Sequence, residues 1–221
     1  MGFSEILKQD KRVQKYHESY MRHPFVRGLA NGNLDKNKFR KYLIQDTLYL
    51  KDYAKVYAYA FLLGESIEDL QFLHTCIGVV MSEETNMHIK YLNDFGLNVY
   101  EIDNMEIEKA NRDYLDYMLG FSKENDMKSI FVAALACTLT YEYIGKQLKY
   151  ERLNDDKRHY YDPWIDEYAG KSFESFSIKS CELIDRYCAD ISLEEQERLI
   201  DIYIKACEYE MGFWDMSFEI K

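Results

Sequence analysis

Ten glycines and two prolines in 221 residues leave this chain few places at which to turn. A β-rich fold of that length needs a Gly-, Pro- or Asn-marked reversal every few residues. Long helices joined by few connections are therefore the expected architecture. The apolar spacing agrees. In "DKNKFRKYLIQDTLYLKDYAKVYAYAFLLGE" the residues Phe39, Leu43, Asp46, Leu50 and Tyr53 recur at three- and four-residue steps, which is the period of one helix face. Further helices are expected from about Phe3 to Arg22, stopped by His23-Pro24, and from Ser66, with Asp69 completing a capping box, to Gly96 at the C-cap. Others are expected near 106–122 and 126–149. After a loop through "NDDKRHYYDP" come two final helices, the last opened by Ser192 with Glu195 as its reciprocal acid. No repeat or Pro/Ser-rich linker divides the chain, so one all-α domain over residues 1–221, an antiparallel bundle, is the reading.

The net charge of −11, without a long basic run, disfavours nucleic acid as a partner. Five cysteines, at 76, 137, 181, 188 and 207, form no C-x-x-C pair. That pattern fits cytoplasmic thiols better than a disulfide framework or structural zinc. The beginning "MGFSEILKQDKR" is charged too early for a signal peptide, and the apolar run at 56–63 is too short to span a bilayer. Twenty tyrosines are the anomaly of composition. A buried phenol needs a partner for its hydroxyl, so they imply satisfied packing positions or an aromatic pocket with a polar edge.

Three polar residues interrupt apolar helix faces. Asp46 lies between Leu43 and Leu50, with Tyr49 close by. It is either an ion-pairing or capping residue or a fixed acceptor inside a pocket. Cys137 sits in "IFVAALACTLTYEYIG", apolar almost all round. It is either inert packing or a thiol activated by something distant in sequence. Glu210, in "ACEYEMGFWDM", either faces solvent or is an acid whose pKa is raised beside Phe213 and Trp214, as suits a proton donor. Glu84 and His88 stand four apart where a di-iron Glu-x-x-His motif needs three, and no second copy exists. A metal site of other construction stays open at this point.

Assembled in order, these blocks resemble the TenA family, the thiaminase II or aminopyrimidine aminohydrolases of thiamin metabolism. "HPFVRGLANGNLDKNKFRKYLIQDTLYLKDYAKV", "ALACTLTYEYIGKQL", "YDPWIDEYAGKSF" and "EYEMGFWDM" carry the likeness over almost the whole chain. The resemblance implies a heme-oxygenase-like helical bundle, commonly a homotetramer, acting on a small aminopyrimidine or thiamin with no metal or organic cofactor. It makes Cys137 the nucleophile and Glu210 the acid/base. Asp46 becomes the residue that grips the aminopyrimidine, and Tyr49 one that helps activate the thiol. Tyr114, Tyr141 and Tyr168 become substrate contacts. The chain departs from some members in having Thr138 and Leu139, not tryptophan, after the cysteine. The runner-up on grounds of fold is a heme-binding protein, with His17 or His23 as axial ligand, or a di-metal oxidase.

Overall fold

The computed structural model describes residues 1–152 and 159–219, with the backbone alone for 83–86. Among these residues every regular element is helical, as expected. The first expected helix is two, α1 (Phe3–Gln9) and α2 (Lys11–Arg22). Asp10 breaks it: its carboxylate takes the Arg12 backbone N–H at 2.7 Å and so caps α2. A short polar side chain competing locally for a backbone donor is what ends a helix here. His23-Pro24 stops α2 as expected but also starts α3 (Pro24–Ala30), with Pro24 in the first turn, where its missing N–H costs nothing.

α4 (Lys36–Leu62) opens on Asp35, which accepts from Asn37 N at 2.7 Å. α5 (Ile67–Gly78) opens on the Ser66/Asp69 capping box, both bonds of which are present. The helix expected to run unbroken from there is interrupted by a π-helical turn at Val79–Glu84 before α6 (Thr85–Asp94). Gly96, at φ +70°, ends α6 in a Schellman motif: Leu97 N bonds Leu92 O and Gly96 N bonds Asn93 O. α7 (Val99–Ile102), one turn long, and α8 (Lys109–Gly120) follow.

α9 (Met127–Glu151) is buried on nearly every side from Met127 to Tyr141 and packs against α2, α4, α8, α10, α11 and α12. It is the axle of the bundle. The expected loop at 154–163 falls partly outside the described residues, and its last two residues instead begin α10 (Asp162–Tyr168). Three helices therefore close the chain where two were expected: α10, α11 (Lys171–Tyr187) and α12 (Leu193–Phe218). Ser192 caps α12 as read, accepting from Glu195 N at 3.1 Å. The Glu195 carboxylate does not reciprocate; it binds Arg198 at 2.7 Å, a charged partner stronger than a backbone amide. A continuous apolar core runs through all of these helices. None of the described helices is long and apolar enough to cross a membrane.

Candidate active site

Three helices far apart in sequence bring the polar residues of the apolar faces together. α4 supplies Asp46 and Tyr49, α9 supplies Cys137 and Tyr141, and α12 supplies Glu210. α8 adds Tyr114, and α10 adds Tyr168. All seven residues are buried. Asp46 and Tyr49 share a face because they are three apart, and Cys137 and Tyr141 because they are four apart.

Glu210 is the hub. Its Oε1 accepts from the Tyr114 hydroxyl at 3.0 Å, and it is hydrogen-bonded with the Cys137 thiol. Burial pushes its carboxyl up to about 8, the nearby Asp46 adds to the rise, and the bonds to Tyr114 and Cys137 pull against it. At neutral pH the group is poised between its two protonation states, which is the condition for giving and taking a proton. The surroundings of the thiol thus place beside it, from α12, an ionisable partner that its own sequence neighbourhood lacks.

Asp46 is raised to about 7, again by burial, with the Tyr42 hydroxyl acting in the opposite direction. Its Oδ2 lies 3.2 Å from Nε2 of His88, on α6. His88 is wholly buried, and burial drives its pKa down to about 3. The ion-pair alternative for Asp46 therefore has a candidate partner, but one that burial keeps neutral.

Around these groups stands an aromatic wall. Tyr49 stacks on Tyr53 at 5.1 Å and meets the Tyr114 ring at 5.5 Å and Phe213 at 5.8 Å. Its hydroxyl reaches Met118 Sδ at 3.9 Å, and its ring lies in the electrostatic field of Cys137. Tyr141 packs on Tyr168 at 4.8 Å and Trp214 at 5.4 Å. Tyr42 holds the corner: Trp164 Nε1 donates to its hydroxyl at 3.2 Å, and that hydroxyl donates to Tyr141 at 3.4 Å. Farther along α4, Tyr53 donates to Ala134 O at 2.7 Å, and the Tyr57 hydroxyl lies 3.3 Å from Thr138 Oγ1. Thr138 therefore serves a tyrosine of the wall.

The sequence reading gave no site role to Tyr42, Tyr53, Tyr57 or Trp164, and weighed His88 only as part of an imperfect metal motif. The tyrosines were legible in principle, since Tyr42, Asp46, Tyr49, Tyr53 and Tyr57 are spaced four, three, four and four along one face of α4. Nothing in the local sequence of His88 points to Asp46. Glu142, five residues beyond Cys137 on α9, binds Lys146 at 2.7 Å on the outer side, in a groove of about 520 Å³ with His17 and Tyr143. His17 stacks on Tyr143 in that groove at 4.3 Å, away from Cys137. His23 uses both ring nitrogens: Nδ1 accepts from Phe25 N and Nε2 meets Asp215, each at 3.2 Å. Nδ1 thus caps a helix while Nε2 is taken by Asp215, and an axial-ligand role would displace one of these two contacts. Among the described residues no three His, Cys, Asp or Glu side chains cluster as metal ligands. The Glu84 side chain lies outside them.

The family model described as TENA/THI-4/PQQC matches residues 10–219. An aminopyrimidine aminohydrolase of Helicobacter pylori is 32% identical over 219 residues, covering 99% of this chain and 100% of its own. An aminopyrimidine aminohydrolase of Halalkalibacterium halodurans is 28% identical over 218 residues, covering 99% and 96%. Among solved structures, a TenA homologue protein from P. horikoshii OT3 superimposes with a TM-score of 0.87 at 22% identity over 99% of both chains. A domain of unknown function with a heme oxygenase-like fold from Shewanella denitrificans gives 0.73 at 14% identity, covering 99% and 92%. The expected heme-oxygenase-like bundle is the fold observed.

Proposed function

The chain belongs to the TENA/THI-4/PQQC family, and from that premise we propose that it is an aminopyrimidine aminohydrolase of thiamin metabolism. It releases 4-amino-5-hydroxymethyl-2-methylpyrimidine from the corresponding aminomethylpyrimidine or from thiamin. The observation that carries the reading is the buried pair of Cys137 and Glu210, with Asp46 beside them in an aromatic enclosure. Full-length likeness to two aminopyrimidine aminohydrolases supports it.

In this reading the pyrimidine stacks among Tyr49, Tyr141 and Tyr168, and Asp46 accepts from its amino edge. The Cys137 sulfur adds to the electron-poor ring while the thiol proton passes through Glu210 to a ring nitrogen. Electrons then return from that nitrogen to expel the substituent on the exocyclic methylene, ammonia from the protonated amine or neutral thiazole from the thiazolium, leaving a ring-conjugated methylene. Water adds there as hydroxyl and gives up its other proton to solvent. Departure of the thiolate restores the aromatic ring, and Glu210 carries the nitrogen's proton back to sulfur. The net change is one water consumed and one C–N bond exchanged for C–O, by nucleophilic and general acid/base catalysis. Tyr114 holds the Glu210 carboxylate in register for both transfers.

A cytoplasmic setting accords with five buried cysteines that form no disulfide. A homotetramer accords with exposed apolar side chains such as Leu62 and Ile67. The test is a side-by-side assay of the aminomethylpyrimidine and thiamin with product identified by mass. Formation of the hydroxymethylpyrimidine from at least one supports the reading, and turnover of neither refutes it.

A further inference from the structure

His88 has no place in the chemistry above, yet it is the most enclosed histidine of the chain, with no exposed surface. Its Nε2 lies 3.2 Å from Asp46 Oδ2, but off the line a good hydrogen bond requires, and neither ring nitrogen has a satisfied bond. For packing alone this is a costly choice, because phenylalanine or leucine would fill the space with no polar atom to satisfy. The backbone is specialised at the same place. The π turn at Val79–Glu84 leads directly into α6. Its wider turn shifts the phase of the residues that follow by roughly one residue, about 100°. The face of α6 that meets α4, His88 included, is set by that turn.

Four helices surround the Asp46 carboxyl with groups that can speak to it: Tyr42 on its own helix, His88 from α6, Tyr141 from α9 and Glu210 from α12. Of these, the Tyr42 hydroxyl already bonds Asp46 but is shared with Trp164 and Tyr141, and Glu210 is engaged with Tyr114 and Cys137. Among the described residues, His88 is the one of the four with both polar atoms to spare. We propose that His88 is a positioning residue whose Nε2–H fixes Asp46 Oδ2, setting the carboxyl plane so that its remaining lone pairs meet the amino edge of the pyrimidine. The bond closes fully when the ligand draws the carboxyl into place. This rests on the reading of Asp46 as the acceptor for the aminopyrimidine. Burial favours the neutral imidazole, which still carries the one N–H the role requires.

The test compares two ligands by calorimetric titration: 4-amino-5-hydroxymethyl-2-methylpyrimidine and the same molecule without its 4-amino group. Wild type, His88→Gln, His88→Phe and Asp46→Asn are measured with each, after thermal melting confirms folding. The phenylalanine variant is expected to bind the amino ligand about tenfold more weakly while its affinity for the deamino ligand stays within about twofold. Glutamine, whose amide N–H can stand where Nε2–H stood, is expected to recover most of the loss. Should phenylalanine prevent folding, His88→Met makes the same comparison against His88→Gln. Equal weakening of both ligands, or of neither, makes His88 a packing residue and overturns the proposal. If His88→Phe shows the selective loss while Asp46→Asn shows none, His88 acts directly on the ligand and the positioning role falls. If wild type itself fails to distinguish the two ligands, the Asp46 reading falls and takes this proposal with it.

Discussion

Cys137 can attack only if its proton has somewhere to go, because an ordinary thiol near pH 7 is largely protonated. The structure offers it Glu210, a carboxyl held near the middle of the physiological range by burial. Removing either partner should therefore stop the chemistry without unfolding the protein. Cys137→Ala is expected to lose several orders of magnitude in kcat, and iodoacetamide should inactivate the wild type at this thiol with substrate protecting. An alanine variant keeping more than about a tenth of the activity would remove the nucleophile role. Glu210→Gln keeps the volume and the bond to Tyr114 but cannot exchange a proton. Its kcat is expected to fall about 10²–10⁴-fold with pyrimidine binding retained, and its pH–rate profile should lose the limb that Glu210 governs. A near-normal kcat with an unchanged profile would move proton transfer to another group. Glu142 is poorly placed to inherit it, since it is committed to Lys146 on the far side of α9.

At the scale of the helix, legibility in the sequence followed the range of the forces involved. Ser66, Asp69, Ser192 and Gly96 act within one turn, and each ends or begins a helix where it was read. Asp10 also acts locally but was masked by apolar spacing that continues across it. The π turn before α6 packs on α4, and no local residue pattern announces it. The site follows the same rule: the α4 ladder was readable from spacing, whereas the contact of His88 with Asp46 depends on tertiary placement. Gly145 shows what such placement requires. A Cβ there would lie 2.7 Å from the Tyr168 backbone carbon and 2.9 Å from Ala169 N, so only glycine lets α10 seat against α9. Gly145→Ala is expected to push α10 outward, separate Tyr168 from Tyr141 and cost about 1–3 kcal/mol. Thermal melting would register the loss, and a rise in KM larger than the change in kcat would place it in the pocket wall. A variant with unaltered melting and KM would show that α10 has slack.

For the molecule as a whole, the buried site leaves its mark on stability, because the same burial that tunes each group also links folding to protons. Asp46 rises from 3.8 to about 7 and Glu210 from 4.5 to about 8 on folding. The native state thus keeps two protons that the unfolded chain has released, and this stabilisation is lost as pH rises through those folded values. His88 and His17 behave oppositely, falling from 6.5 to about 3 and about 4. Their contribution is complete above pH 6.5 and is lost as pH falls toward those values. Between pH 4.5 and 6.5 the two pairs oppose each other, and His23, also lowered by burial, tilts the balance toward a shallow rise in stability with pH. Above pH 6.5 the histidines are neutral in both states, so the acids act alone and stability should fall until about pH 8. In a domain of this size about 1 kcal/mol moves Tm by about 2–4 °C, so the fall should be readily measured. The double variant Asp46→Asn, Glu210→Gln has no such protons to lose. Its melting temperature should stay level from pH 6.5 to 8 and exceed that of wild type at the upper end, an inactive protein made more stable. Parallel curves for the two proteins across that window would mean that these carboxyls titrate in the folded state as they do in water, and the proton transfers assigned to Glu210 would lose their physical basis.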